Sequence, residues 1–100
     1  LQQLDNGEFE LGWWIWKDYW GQGLAAEGTA PFIDHARDKM GLSRLVAVID
    51  EDNTASRRVA EKLGMVFRGM KSARETMKIR PDVPIAYYAM TLSGPDQALV

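Results

Sequence analysis

One hundred residues make one small domain by length, and a composition of 46% hydrophobic and 26% charged residues is ordinary for a chain folding around a single thin core. A formal net charge of −2 offers no basic stripe to nucleic acid, no apolar run approaches the roughly 20 residues of a membrane span, and nothing reads as a signal peptide. Absent cysteine excludes disulfides and thiol catalysis and fits a cytoplasmic protein, while a lone histidine, His35, excludes a histidine-based metal cluster, so no metal is expected.

Leu1 to Gly7 is polar and ends in the turn signal Asp5-Asn6-Gly7. From Glu8 to Trp16 the pattern alternates, with Phe9, Leu11, Trp13 and Ile15 on one face and Glu10, Gly12, Trp14 and Trp16 on the other. That period predicts a strand. Gly12 in its middle weakens it and points to a bulge or to the close approach of another group. The tryptophans read most simply as core and interface packing.

Lys17 to Trp20 leads into Gly21-Gln22-Gly23 and then a helix from Leu24 to Met40. Leu24, Ala25, Gly28, Phe32, Ala36 and Met40 recur at helical spacing and are the expected inward stripe. Pro31 predicts a kink near Glu27 to Pro31, Gly41 a C-terminal stop, and His35 a position on the helix flank. A glycine-rich turn opening a helix gathers bare backbone N–H groups at the positive end of the helix dipole, a ready site for an anion such as a phosphate.

Arg44 to Ile49 is a β-branched run that predicts a central strand buried on both faces. It ends in the solvated run Asp50-Glu51-Asp52, after which Asn53 is the expected N-cap of a helix from Thr54 to Leu63. Val59 and Leu63, with Ala55 and Ala60, form its inward stripe, and Gly64 terminates it. Met65 to about Glu75 reads as a strand, Arg80 to Pro84 as a turn and Ile85 to Leu92 as a last strand, the two strands pairing as a wide antiparallel hairpin. Ser93 to Val100 reads as a flexible tail.

Gly21-x-Gly23-x-x-Ala26 formally fits a dinucleotide fingerprint, and Asp50 ends the next strand. The context argues against that reading, because the preceding strand carries Glu8 and Glu10, four residues separate it from the glycines, and no second strand–helix–strand half follows.

More of the chain fits another pattern. Glu10 to Ile15, Tyr19 to Ala25, Asn53 to Ser56 and Glu61 to Met65 together resemble the GNAT acetyltransferase superfamily, and most closely its branch that acetylates protein N-terminal amines, such as the bacterial ribosomal-protein alanine acetyltransferases. The family loop runs Arg or Gln, two residues, Gly, any residue, then Gly or Ala. Here Trp20 takes the first position, as in that branch, and Gly23 and Ala25 fill the others. The likeness spans about Phe9 to Leu92 and implies an α/β (α+β) fold with a mixed sheet, ordered strand-helix-strand-helix-strand-strand, without the N-terminal strands and helices of the full domain. With Leu1 in place of Met, the chain is expected to be a partial domain: an excised fragment, the ordered part of something longer, or a natural half-domain.

The resemblance implies acetyl transfer from acetyl-CoA to a primary amine, on a protein N-terminus or a small molecule. It places the pyrophosphate on the backbone of Gln22, Gly23, Leu24 and Ala25 beside Trp20 and Gly21, and the pantetheine arm along Trp13, Trp14 and Ile15 in a gap between splayed parallel strands. Asn53 and Ser56 join the cofactor contacts. Glu10 is the first candidate for a carboxylate assisting amine deprotonation and Glu75 the second; both also fit a plain solvated strand position. Family members often carry a tyrosine acid seven residues after the asparagine; here that position is Ala60, which leaves Ser56 as the acid. A non-catalytic CoA-binding or oligomerising module is the alternative. An unpaired, tryptophan-rich edge on the strand from Glu8 to Trp16 would favour a homodimer or larger assembly.

Overall fold

The computed structural model describes residues 1–12 and 22–92. Within them the chain forms β1 (Gln2–Gln3), β2 (Phe9–Glu10), α1 (Gln22–Asp38), β3 (Arg44–Asp50), α2 (Thr54–Lys62), β4 (Val66–Ser72), α3 (Ala73–Thr76) and β5 (Pro84–Thr91). The strands make one mixed sheet in the order β1-β2-β3-β5-β4. Only β2 and β3 run parallel; β1–β2, β3–β5 and β5–β4 are antiparallel. This arrangement is not the parallel sheet that dinucleotide binding in a doubly wound fold requires.

The β1–β2 hairpin forms at the predicted turn. Asn6 Oδ1 accepts from the Glu8 N–H at 3.0 Å, and Gly7 takes φ 91°, a left-handed conformation that glycine reaches without steric cost. The reading of the first residues as polar lead-in is therefore corrected: Gln2 and Gln3 pair with Glu10 and Phe9. That pairing covers the edge expected to be free, at least over Phe9–Glu10. The remaining residues of the predicted strand, Trp13 to Trp16, lie outside the described residues, as do Lys17 to Gly21 and the tail from Ser93 to Val100.

β3 is the central strand that its composition predicts. It is paired on both sides, and Leu45, Ala47 and Ile49 pack on one face of the sheet while Val46 packs on the other. The first face carries α1 and α2. Phe9, Leu11, Ala86, Tyr88 and Leu92 meet Ile33 and Ala36 of α1 and Ala60 of α2 there. The second face is smaller, built from Leu4, Val46, Ala73, Ile85, Tyr87 and Ala89. Each fully buried Val, Leu or Ile among them stabilises the fold by about 1.5–3 kcal/mol, the alanines by less.

Helix α1 continues on both sides of Pro31. Of the predicted stripe Ala36 is buried, but it is joined by Thr29 and Ile33, whereas Gly28 and Met40 are exposed and Phe32 is 56% exposed. Both stripes have helical spacing; the chain chooses the one carrying β-branched Ile33, and Phe32 is left on the outside. The helix stops where expected, with Gly41 at φ 68° and the Leu42 N–H reaching the Ala36 carbonyl. His35 is exposed near its end.

Helix α2 is capped by Asn53 and stopped by Gly64 at φ 90°, with Val59 and Ala60 fully buried and Ala55 and Leu63 half-buried. The strand predicted through Glu75 ends instead at Ser72, where a capping box starts the single turn α3. The Ser72 hydroxyl accepts from the Arg74 N–H, and Glu75 reaches back to the Ser72 N–H at 2.7 Å. Within β4 the pairing steps from Phe67↔Tyr88 to Gly69↔Tyr87, leaving Arg68 as the extra residue of a bulge with Gly69 at φ 118°.

Candidate functional site

Among the described residues the parallel seam between β2 and β3 is short. Glu10 pairs with Val46, and the Leu11 N–H donates to the Val46 carbonyl at 2.8 Å. Beyond Leu11 a cleft of about 220 Å³ lies between the two chains, lined by Glu10, Leu11, Gly12, Val48, Ile49, Asp50, Asn53 and Ser56. It occupies the carboxyl ends of the parallel strands, the side on which α/β crossovers place ligands and the N-terminus of the following helix. Among the described residues, exposed Gly12 has no heavy atom within 4 Å of where a Cβ would stand, which leaves room for close approach by a ligand.

The far wall is the start of α2. Asn53 Oδ1 accepts from the Ser56 N–H at 3.1 Å, which fixes the amide as a cap, and the Asn53 N–H is anchored on the Asp50 carbonyl at 3.0 Å. The Ser56 hydroxyl makes no hydrogen bond among the described residues, and Ser56 lines the cleft half-buried, free to engage a ligand. Asn53 thus serves as cap and cleft wall together, as the sequence allowed.

Glu10 is placed differently from a solvated strand residue. Its two carboxylate oxygens are held by the Arg80 fork, Oε2 at 2.8 Å from Nη1 and Oε1 at 3.1 Å from Nη2, with side chains only 16% and 22% exposed. Arg80 Nη1 also donates to Thr76 Oγ1 at 3.0 Å. The sequence reading took Arg80 for a turn residue only. Seventy positions separate it from Glu10, and no local pattern marks the partnership. Glu75, the second carboxylate candidate, is engaged as the α3 capping residue and lies outside the cleft lining. Ala60, where the family tyrosine would stand, is fully buried in the helix-side core.

Of the expected cofactor contacts, Trp13, Trp14, Ile15, Trp20 and Gly21 lie outside the described residues. Gln22, Gly23, Leu24 and Ala25 form the first turn of α1. A helix beginning at Gln22 leaves the N–H groups of its first residues without partners in its own ladder, which is the donor set an anion needs. Leu11, Val48 and Ile49 were not singled out as site residues beforehand, and Asp50 only in the rejected dinucleotide reading; the alternation of β2 and the end of β3 were the signals for them.

Comparison with known proteins places this geometry. Residues 1–66 match the acetyltransferase (GNAT) domain family model. The Bacillus subtilis (strain 168) uncharacterized protein YkkB is 35% identical over 88 residues, 87% of this chain and 47% of its own length. A GNAT-family acetyltransferase structure from Bacillus anthracis superposes with a TM-score of 0.66 at 30% identity, covering 82% of this chain and 49% of that one. Mycobacterium smegmatis RimJ, solved in complex with CoA-disulfide, gives a TM-score of 0.68 at 26% identity over 82% of this chain and 39% of its own. The chain spans under half the length of these relatives, 47% of YkkB and 43% of the uncharacterized N-acetyltransferase p20 of Bacillus licheniformis, to which it is 29% identical over 76% of its own length.

Proposed function

The chain belongs to the GNAT acetyltransferase family, and from that premise we propose that it supplies the donor half of an N-acetyltransferase that moves an acetyl group from acetyl-CoA to a primary amine. The observation carrying this reading is the cleft beyond Leu11, which gathers Gly12, Asn53 and Ser56 where two parallel strands part. RimJ bound to a CoA derivative, at 26% identity, supports CoA as the donor scaffold.

In this reading the pyrophosphate sits on the amides opening α1, and the pantetheine arm runs in the cleft with the thioester carbonyl against a strand amide near Gly12. The neutral amine nitrogen attacks that carbonyl and forms the new C–N bond. The strand amide stabilises the oxyanion, and the C–S bond then breaks. The amine loses its proton to water, and the departing thiolate gains one from the Ser56 hydroxyl, which is re-protonated from solvent. An α-amine, with a pKa of about 7.7–8.0, needs less help in losing its proton than a lysine at about 10.4. A protein N-terminus therefore suits a site whose first carboxylate candidate, Glu10, is occupied by Arg80. We assign Glu10 to holding the cleft wall.

Isothermal titration with acetyl-CoA tests the donor site; absence of saturable heat overturns it. Ser56→Ala is expected to lower turnover far more than donor affinity, and equal turnover removes the acid role. The buried alanine at position 60 favours a second reading, a CoA-binding module without turnover; binding with no acetylated product from a panel of amines would select it.

A further inference from the structure

One residue closes the start of α2 twice. The Arg57 N–H donates to the Asn53 carbonyl at 3.0 Å, which begins the helix ladder, and its side chain donates from Nη1 to the Glu51 carbonyl at 3.1 Å, which closes the turn before the helix. Its Nε donates to the Tyr88 hydroxyl at 3.0 Å, and the guanidinium carbon stands 5.3 Å from the centre of the Phe67 ring. We propose that Arg57 is a positioning residue for acetyl transfer, holding the Ser56 hydroxyl at its place in the cleft while lying outside the cleft lining itself. The inference rests on the reading of Ser56 as the acid.

The turn before α2 needs a hold from outside. Asp50, Glu51 and Asp52 put three carboxylates in succession, and among the described residues none of them makes a salt bridge. Like charges so close repel. The bonds that shape the turn, from the Asn53 N–H to the Asp50 carbonyl and from the Thr54 N–H to the Asp52 carbonyl, are local and join exposed residues. Arg57 ties the turn to the sheet instead. Tyr88 is a firm post, 2% exposed and paired with Ala47 of β3 on one side and Phe67 of β4 on the other. The Phe67 ring meets Tyr88 edge-on at 5.5 Å and faces the guanidinium as well.

Ser56 lies within this clamp. Its N–H is on Asn53 Oδ1, the next residue is Arg57, and Asp50 and Asn53 line the cleft beside it. A misplacement of about 1 Å can cost on the order of a hundredfold in rate, so a tether behind the acid acts on kcat. Donor affinity in the same reading depends mainly on the amides opening α1 and should change little. Arginine suits the task better than lysine, because its two acceptors belong to different elements and a planar fork reaches both where one ammonium reaches one.

Steady-state kinetics with acetyl-CoA and a panel amine that is acetylated, together with amide hydrogen exchange of the unliganded chain, test the proposal. Expected for Arg57→Met are a fall in kcat of about tenfold with KM for acetyl-CoA within about twofold, and exchange of the Ser56 amide faster by about tenfold. Arg57→Lys should behave the same way, and Lys62→Gln, at the exposed far end of α2, should leave both unchanged. In a Ser56→Ala background, Arg57→Met should lower kcat no further, because the group it positions is gone. A full tenfold loss in that background marks a general structural effect and overturns the proposal alone, as does unchanged exchange at Ser56 or full rescue by lysine. Full turnover in Ser56→Ala removes the acid role and this proposal with it, and no product from any amine overturns the transfer reading on which both stand.

Discussion

Glu10→Gln separates an anchoring carboxylate from a catalytic one. The substitution keeps the shape of the side chain and removes its charge, leaving the Arg80 guanidinium, 22% exposed, without its counter-ion and able to keep at most one good hydrogen bond to the amide. Hydrogen bonds to charged groups contribute about 1.5–3 kcal/mol, and fully burying an orphaned charge costs more; residual exposure on both sides sets the expected loss at about 2 kcal/mol. In a domain of this size that is a fall of about 8–16 °C in melting temperature. Urea denaturation of Glu10→Gln, Arg80→Met and the double variant gives the coupling directly, expected at about 1–2 kcal/mol, with the double variant less damaged than the sum of the singles. A Glu10→Gln protein that loses less than about 0.5 kcal/mol, with additive singles, refutes the anchor reading. Lost turnover at unchanged stability would then return Glu10 to the role of base.

Asn53→Ala removes the α2 cap and should cost about 1 kcal/mol, whereas Asn53→Asp, which retains the acceptor oxygen, should cost less; chemical denaturation distinguishes them. Gly69→Ala meets no steric obstacle, yet φ 118° is foreign to alanine, so the strain of about 1–3 kcal/mol appears in the denaturation midpoint without loss of packing. Burial pushes the Glu8 carboxyl up, but the Tyr87 hydroxyl, the Asn6 amide and the cations Arg44 and Lys71 together hold it below its ordinary value of 4.5. A depressed folded-state value stabilises the fold above the unfolded value and loses that contribution as pH falls through the folded one. Acid titration should therefore show a decline starting near pH 4.5 and continuing below it, flattened in Glu8→Gln; identical acid limbs would contradict the link.

Where a residue's role is set by its neighbours in sequence, the sequence revealed it. Asn53 was legible as a cap, Gly41 and Gly64 as helix stops, and Arg44 to Ile49 as the central strand, because each depends on a few adjacent residues. Ser72-Ala73-Arg74-Glu75 carried an equally local signal, a capping box, but the surrounding β-like residues masked it and Glu75 was read as part of a strand. The inward face of α1 was ambiguous for a different reason: Phe32 and Ile33 each begin an acceptable helical stripe, and only packing against the sheet chooses between them. Arg80 on Glu10 and Lys71 over Tyr87 are long-range pairings, the second created by a register shift, and single-sequence periodicity contains neither.

The uneven stitching of the sheet has a thermodynamic consequence. β3 and β5 pair along their whole length, from Arg44↔Thr91 to Asp50↔Ile85, whereas among the described residues β2 joins β3 only through Glu10↔Val46 and the Leu11 N–H on the Val46 carbonyl. Opening at that join should require much less than global unfolding, so the amides of residues 2–11 are expected to exchange with solvent ahead of those in β3 and β5. A molecule lodged in the cleft would touch both sides of the join and slow that exchange. Affinity at the cleft and the lifetime of the N-terminal hairpin are then two measures of one equilibrium, and a substitution in the hairpin far from any ligand can weaken binding by letting the join breathe.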